Sequence, residues 1–171
     1  MTSSEIAKSM IVFSDGNLHD ICHFLKVFAY ARIIGEGEGL SDKDQLTLEV
    51  AALVHDIACP LCRSKYGNTD GRHQEEEGPA LAESFLQDKA LPGDVLSRVL
   101  FLVGHHHTYT DIDGPDYQIL LEADYLVNAD ESGFSPDNIS RARQKIFKTR
   151  TGLSLLESIY KIQHGGTKNV R

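Results

Sequence analysis

Histidines and carboxylates recur in this 171-residue chain at the polar ends of apolar runs. Val50-Ala51-Ala52-Leu53-Val54 leads straight into His55-Asp56, and His23 lies upstream in a second apolar stretch. His105-His106-His107 closes a third, and Asp124 stands inside a fourth. Drawing an adjacent imidazole and carboxylate into an apolar interior is costly unless something satisfies both, and a divalent cation does so. Repeated in this way, the pattern points to a metal site inside a helical bundle.

The elements that must position these groups read as helices throughout. Leu18, Ile21, Leu25, Phe28, Ala29 and Ile33 recur at helical spacing and predict a helix over 18–34, with Gly35-Glu36-Gly37-Glu38-Gly39 ending it. Ile6–Phe13 suggests a short helix before it. Ser41 or Asp42 can cap the next, which runs through Leu46, Val50 and Val54 to the His-Asp pair. Residues 60–72 read as a polar loop, followed by a helix over 79–87. Asp94 is a plausible N-cap for Val95–Val103, which delivers the three histidines at its C-terminal end. Ile119–Val127 carries Glu122 and Asp124; the basic run 136–150 reads as the solvated face of a surface helix, and Leu153–Ile162 as a last helix. No alternating strand pattern stands out, so the expectation is an all-α fold, one domain over residues 1–171.

The formal charge of −8 argues against broad nucleic-acid binding. No apolar run reads as a membrane span, and Met1–Lys8 lacks the basic and apolar regions of a secretory signal, which places the protein in the cytoplasm. Cys22, Cys59 and Cys62 make no disulfide framework. Cys59-Pro60-Leu61-Cys62 has the spacing of a redox dithiol but no βαβ setting, so coincidence is favoured over thiol chemistry.

The order His23, then His55-Asp56, then Asp124 resembles the HD-domain superfamily of metal-dependent phosphohydrolases, above all its short stand-alone bacterial members. The matching segments are Asp20-Ile21-Cys22-His23-Phe24-Leu25-Lys26-Val27, Ala51–Ile57 and Leu121-Glu122-Ala123-Asp124, within residues 18–130. The resemblance implies a helical bundle in which His23, His55, Asp56 and Asp124 hold one metal ion. Two imidazoles and two carboxylates suit Mn, Fe, Co, Ni or Zn, with Mg less natural. Such an ion would acidify a bound water and draw charge off a phosphoryl group, with Asp56 both ligating and orienting that water. The substrate implied is a small phosphorylated metabolite such as a nucleotide; a non-catalytic metal- or nucleotide-binding regulator on the same scaffold is the alternative.

Some superfamily members hold two metals. His105 and His106 stand where extra ligands occur, for a second ion or a substrate phosphate; helical projection turns His106 inward and His107 outward. Two-metal members usually carry a histidine four residues before a glycine, but Gln74 stands four before Gly78 here. Either His73 shifts in, or Glu75 or Glu77 substitutes, or the second ion is absent, and one metal is the expectation. Lys26, three residues past His23, is a candidate catalytic cation, and Lys65 a further candidate phosphate donor; Arg72 could do likewise but reads rather as a solvated surface charge. Tyr66 and Tyr109 are candidates to stack on a base. A homo-oligomer is compatible with the sequence.

Overall fold

The computed structural model describes residues 2–161. Among them nine helices form and no strand: α1 (Ser3–Phe13), α2 (Leu18–Glu38), α3 (Asp42–Val54), α4 (Cys59–Tyr66), α5 (Gly71–Leu86), α6 (Gly93–Val103), α7 (Pro115–Glu131), α8 (Pro136–Lys145) and α9 (Arg150–Tyr160). Short polar side chains set most of the starts. Thr2, Asn17, Ser41, Asp70, Ser135 and Thr149 each accept a hydrogen bond from a first-turn backbone N–H that would otherwise lack a partner.

Two helices are apolar on nearly every side and must be enclosed. In α3 every residue from Thr47 to Val54 is buried, and α7 is buried over most of Asp116–Val127. α1, α2, α6 and α7 pack around α3, and α2 and α9 also pack on α7. Full burial of each large aliphatic side chain, such as Leu53 or Leu120, contributes roughly 1.5–3 kcal/mol. The consequence for function is positional. α2, α3, α6 and α7 are held by a close-packed core, so their histidines and carboxylates cannot drift apart.

Several local expectations give way to packing. The stretch 60–72 is not one loop: α4 occupies Cys59–Tyr66 with Pro60 in its first turn, and α5 begins already at Gly71. α2 does not stop at Gly35 but runs to Glu38, because tertiary contact uses its glycines. A Cβ on Gly35 would strike Gln45, and one on Gly37 would stand 2.6 Å from Thr151 Oγ1. The stop falls at Gly39, whose φ of 74° suits a residue without Cβ. Pro92, not Asp94, occupies the N-cap of α6. The basic run 136–150 is broken after Lys145, and Thr149 caps a new helix. Ile162, expected to end the last helix, lies outside the described residues.

A buried carboxylate ties these last two helices down. Glu122 Oε1 accepts from Lys148 N (2.6 Å), Thr149 N (3.0 Å) and Gln118 Nε2 (2.7 Å), and its other oxygen accepts from Thr149 Oγ1. Gly152 leaves room for it; a side chain there would collide with the carboxylate.

The stretch Asp42–Tyr66 departs from the membrane reading above, since an 18-residue window in it reaches a mean hydropathy of 1.2 and has the length and composition of a span. Here 72% of that window is buried within the fold, so its apolarity is that of the core helix.

Candidate metal centre

Four helices converge. His23 comes from the second turn of α2, His55 and Asp56 from the C-terminal end of α3, Asp124 from the middle of α7, and His106 and His107 from the turn after α6. His55 and His106 are wholly buried, and His23 and Asp124 nearly so.

Each inner imidazole is anchored at the same ring nitrogen. His23 Nδ1 lies 2.8 Å from Glu131 Oε2, His55 Nδ1 2.9 Å from Ala52 O, and His106 Nδ1 2.8 Å from Val103 O. A carbonyl or carboxylate partner selects the Nδ1–H tautomer and leaves Nε2 as a bare acceptor. Those Nε2 atoms then face one another and the two carboxylates. His23 Nε2 is 3.3 Å from His55 Nε2, 3.2 Å from Asp124 Oδ1 and 3.3 Å from Asp56 Oδ2. His55 Nε2 is 3.5 Å from Asp124 Oδ1 and 3.6 Å from Asp56 Oδ1, and His106 Nε2 is 3.3 Å from Asp56 Oδ1.

Lone pairs gathered this closely repel unless positive charge stands among them. Donors about 2.1 Å from a common cation and at right angles stand roughly 3 Å apart, which is the spacing of this cluster. His23, His55 and Asp56 form one group able to share an ion, with Asp124 against it; Asp56, His106 and His107 form a second. In the second, the buried Nε2 atoms of both His106 and His107 lack a hydrogen-bond partner. The residues present therefore fit a divalent ion at the first group, and the two orphaned nitrogens mark a second position that shares Asp56.

The electrostatics agree. Burial opposes charge on His23, yet the carboxylates of Asp124, Asp56 and Glu131 overcome it and push its pKa up to about 10 in the metal-free chain. Burial works against the charges of Asp56 and Asp124 as well, but the surrounding histidines hold both below the usual carboxylate range. His107 goes the other way: burial, then the neighbouring His106, push it down to about 4, so it is a neutral ligand-ready imidazole near neutral pH.

The other expected site residues fall in different places. His105 stays out of the cluster: its ring stacks on Phe101 at 4.2 Å and its Nδ1 lies 2.7 Å from Phe101 O. His107, projected outward, turns inward, because α6 ends at Val103 and helical projection no longer applies beyond it. The histidine turn is fixed from both sides. Glu75 Oε1 accepts from His107 N and Thr108 Oγ1, and the Tyr117 hydroxyl bridges the carbonyls of His105 and Thr108. His73 does not shift in; it stacks on Tyr66 at 3.8 Å. Glu77 does not substitute for it, being bound to Lys65 and the Tyr66 hydroxyl. Gln74 keeps the expected histidine's place, with Nε2 bonded to Thr69 O and Oε1 accepting from Cys59 Sγ. Lys26 does not line the cavity. It pairs with Glu131 (3.1 Å) and Asp130 (3.6 Å), on the carboxylate that orients His23. Arg72 lines a neighbouring depression with Asp70, His73, Glu75 and Glu76.

Over the cluster opens a cavity of about 300 Å³, its walls including His19, Asp20, Cys59, Arg63, His107 and Asn128. No Phe or Tyr is among its lining residues, and Tyr66 and Tyr109 are not among them. Asn128 Nδ2 donates to Asp124 Oδ1 at 2.8 Å. Asn128 and Glu131 follow Asp124 by four and seven residues, so one face of α7 carries a ligand and two orienting groups. That spacing is readable in the sequence. Gly71 was not readable: a Cβ there would stand 2.6 Å from the His107 ring, so only glycine lets that imidazole sit where it does. Burial and nearby carboxylates push both Cys59 and Cys62 up, away from the reactive thiolate.

An all-helical bundle with a buried His/Asp cluster able to hold a metal ion is the class this geometry defines. The profile of the HD domain matches residues 20–132, more than half of the chain, and the chain belongs to that family. No curated protein and no solved structure gives a match. The family indicates the metal-dependent phosphohydrolase superfamily.

Proposed function

We propose that this protein hydrolyses a small phosphorylated metabolite in the cavity above the His/Asp cluster. The observation that carries the reading is the set of Nδ1-anchored imidazoles whose Nε2 atoms converge on Asp56 and Asp124. A divalent ion such as Mn, Fe, Co, Ni or Zn supplies Lewis acidity toward a phosphate oxygen and a more acidic water. His23, His55, Asp56 and Asp124 would hold the first ion. The orphaned nitrogens of His106 and His107, with Asp56, support a second ion rather than the single one the sequence suggested. Glu131 and Asn128 keep His23 and Asp124 aimed. Asp56, common to both groups, would ligate and orient the attacking water.

The polar lining without Phe or Tyr favours a compact, polar leaving group over a base that needs an aromatic platform. Nucleotides remain within the substrate class as ligands held through phosphate and sugar. All three cysteines are free, the state a reducing cytoplasm maintains.

Elemental analysis of the purified protein, then turnover on phosphomonoesters, phosphodiesters and nucleotides with Mn, Co and Ni, tests the reading. Two ions per chain and metal-dependent release of phosphate are expected, with Asp56→Ala losing metal and activity together. An Asp56→Ala protein that kept its full metal content would sink the assignment. Tight ligand binding without any product would favour a regulatory protein on the same scaffold.

A further inference from the structure

Cations that could meet a substrate phosphate are scarce at this site. Lys26 is taken up by Glu131 and Asp130, Lys65 by Glu77, and Arg72 faces a different depression. Among the residues that line the cavity, Arg63 is the sole Lys or Arg, against the carboxylates of Asp20, Asp56, Asp124 and Glu131. The helix brings it there. Cys59 and Arg63 are four apart on α4, and both belong to the cavity wall.

Arg63 is held but not used up. One terminal nitrogen, Nη2, binds Asp20 Oδ2, which ties α4 to α2 across the cavity. A guanidinium has five N–H donors in a fixed plane, and its fork matches two phosphate oxygens. Asp20 would not be stranded if Arg63 let go. Its Oδ2 also accepts from Asn17 Nδ2 at 2.9 Å, and Oδ1 lies 3.4 Å from His19 Nδ1. The Arg63 side chain is 40% exposed, which gives it room to turn.

We infer that Arg63 is the phosphate-binding residue of this cavity, exchanging Asp20 for two phosphoryl oxygens when substrate enters, with Asp20 as the competing internal anion. The inference rests on the hydrolase reading of the same cavity and adds the group that positions the substrate. It gives the cavity a gate made of charge: an anion must outcompete a carboxylate to enter, so neutral and cationic metabolites do not displace it.

The probe is inorganic phosphate, titrated into the metal-loaded full-length protein by calorimetry, with metal content and metal-free melting temperature recorded for each variant. Arg63→Gln should weaken phosphate binding at least tenfold at unchanged metal content, and Arg63→Lys should recover part of the loss. Asp20→Asn should act oppositely and tighten phosphate severalfold, because the competing charge is gone. A plain α2–α4 bridge predicts that Arg63→Gln and Asp20→Asn behave alike, and that result would overturn the inference, as would phosphate affinity indifferent to Arg63. With substrate, Arg63→Gln should raise KM more than it lowers kcat. Arg63-dependent phosphate binding without turnover of any ester would leave the exchange standing and remove the hydrolase. Turnover with phosphate binding blind to both residues would do the reverse.

Discussion

Glu131 makes a demanding test, because in the proposed set it is not a metal ligand. Its Oε2 lies 2.8 Å from His23 Nδ1 and its Oε1 3.1 Å from Lys26 Nζ. If His23 is a ligand through Nε2, Glu131 fixes its tautomer, orients its ring and raises its basicity. Removing such a partner typically weakens metal binding by about 10–100-fold, or roughly 1.4–2.7 kcal/mol. Glu131→Ala loses acceptor and charge together and should show that full range. Glu131→Gln can still present an oxygen to Nδ1–H and should lose no more than about tenfold. Lys26→Met is the control. It removes the exposed partner of the same carboxylate but leaves the His23–Glu131 contact, so metal affinity should fall less than in Glu131→Ala. Competition against a chromophoric chelator gives the affinities, and melting curves of the metal-free proteins separate lost folding from lost binding. The reasoning fails if Glu131→Ala binds metal as tightly as the parent, or if Lys26→Met is equally damaging.

Metal-free protein should show an unusual stability profile. His23 is pushed up to about 10 from 6.5, so its stabilising charge is complete below pH 6.5 and is lost as pH rises toward 10. Asp56 and Asp124, held low, contribute fully above 3.8 and lose that contribution in acid. His107, pushed down to about 4 from 6.5, takes stability away as pH falls from 6.5 toward 4, so melting temperature without metal should peak near pH 6.5 and decline on both sides. Metal should abolish the alkaline decline, and its uptake should release protons, visible as a buffer-dependent binding enthalpy; a flat metal-free profile contradicts the charge assignment. Gly71→Ala should displace the His107 ring and cost the second ion while the first stays bound, read as a drop in metal stoichiometry; two ions retained would refute it. Glu122→Ala, which orphans two backbone N–H groups at the start of α9, should cost about 3 kcal/mol and lower the melting temperature by about 6–12 °C. Metal affinity of the folded fraction should stay unchanged, and a parallel loss of metal would show that α9 reaches the site.

The sequence by itself determined the all-α class and most of the helices, and it singled out a set of candidate donors. Apolar residues at helical spacing in α2, α3, α6 and α7 announce which faces go inward. A histidine or carboxylate at the end of such a face can be buried only with a partner. That local logic, with the resemblance, is enough to single out His23, His55, Asp56 and Asp124. It failed where a side chain's direction depends on another element. His105 and His107 exchange expected roles because the chain leaves the helix at Gly104, and a turn held by Glu75 and Tyr117 re-aims the rings. Lys26, His73, Glu77, Lys65 and Tyr66 all have the right chemistry, yet each finds a nearer partner that periodicity does not reveal. Gly71 and the Asp20–Arg63 pair carry no local signal at all, since one answers to the volume of a ring 36 positions away in the chain and the other to charges on two separate helices. Hydrophobic spacing is encoded residue by residue. Which polar group finally meets which is decided only when close packing fixes the helices against one another.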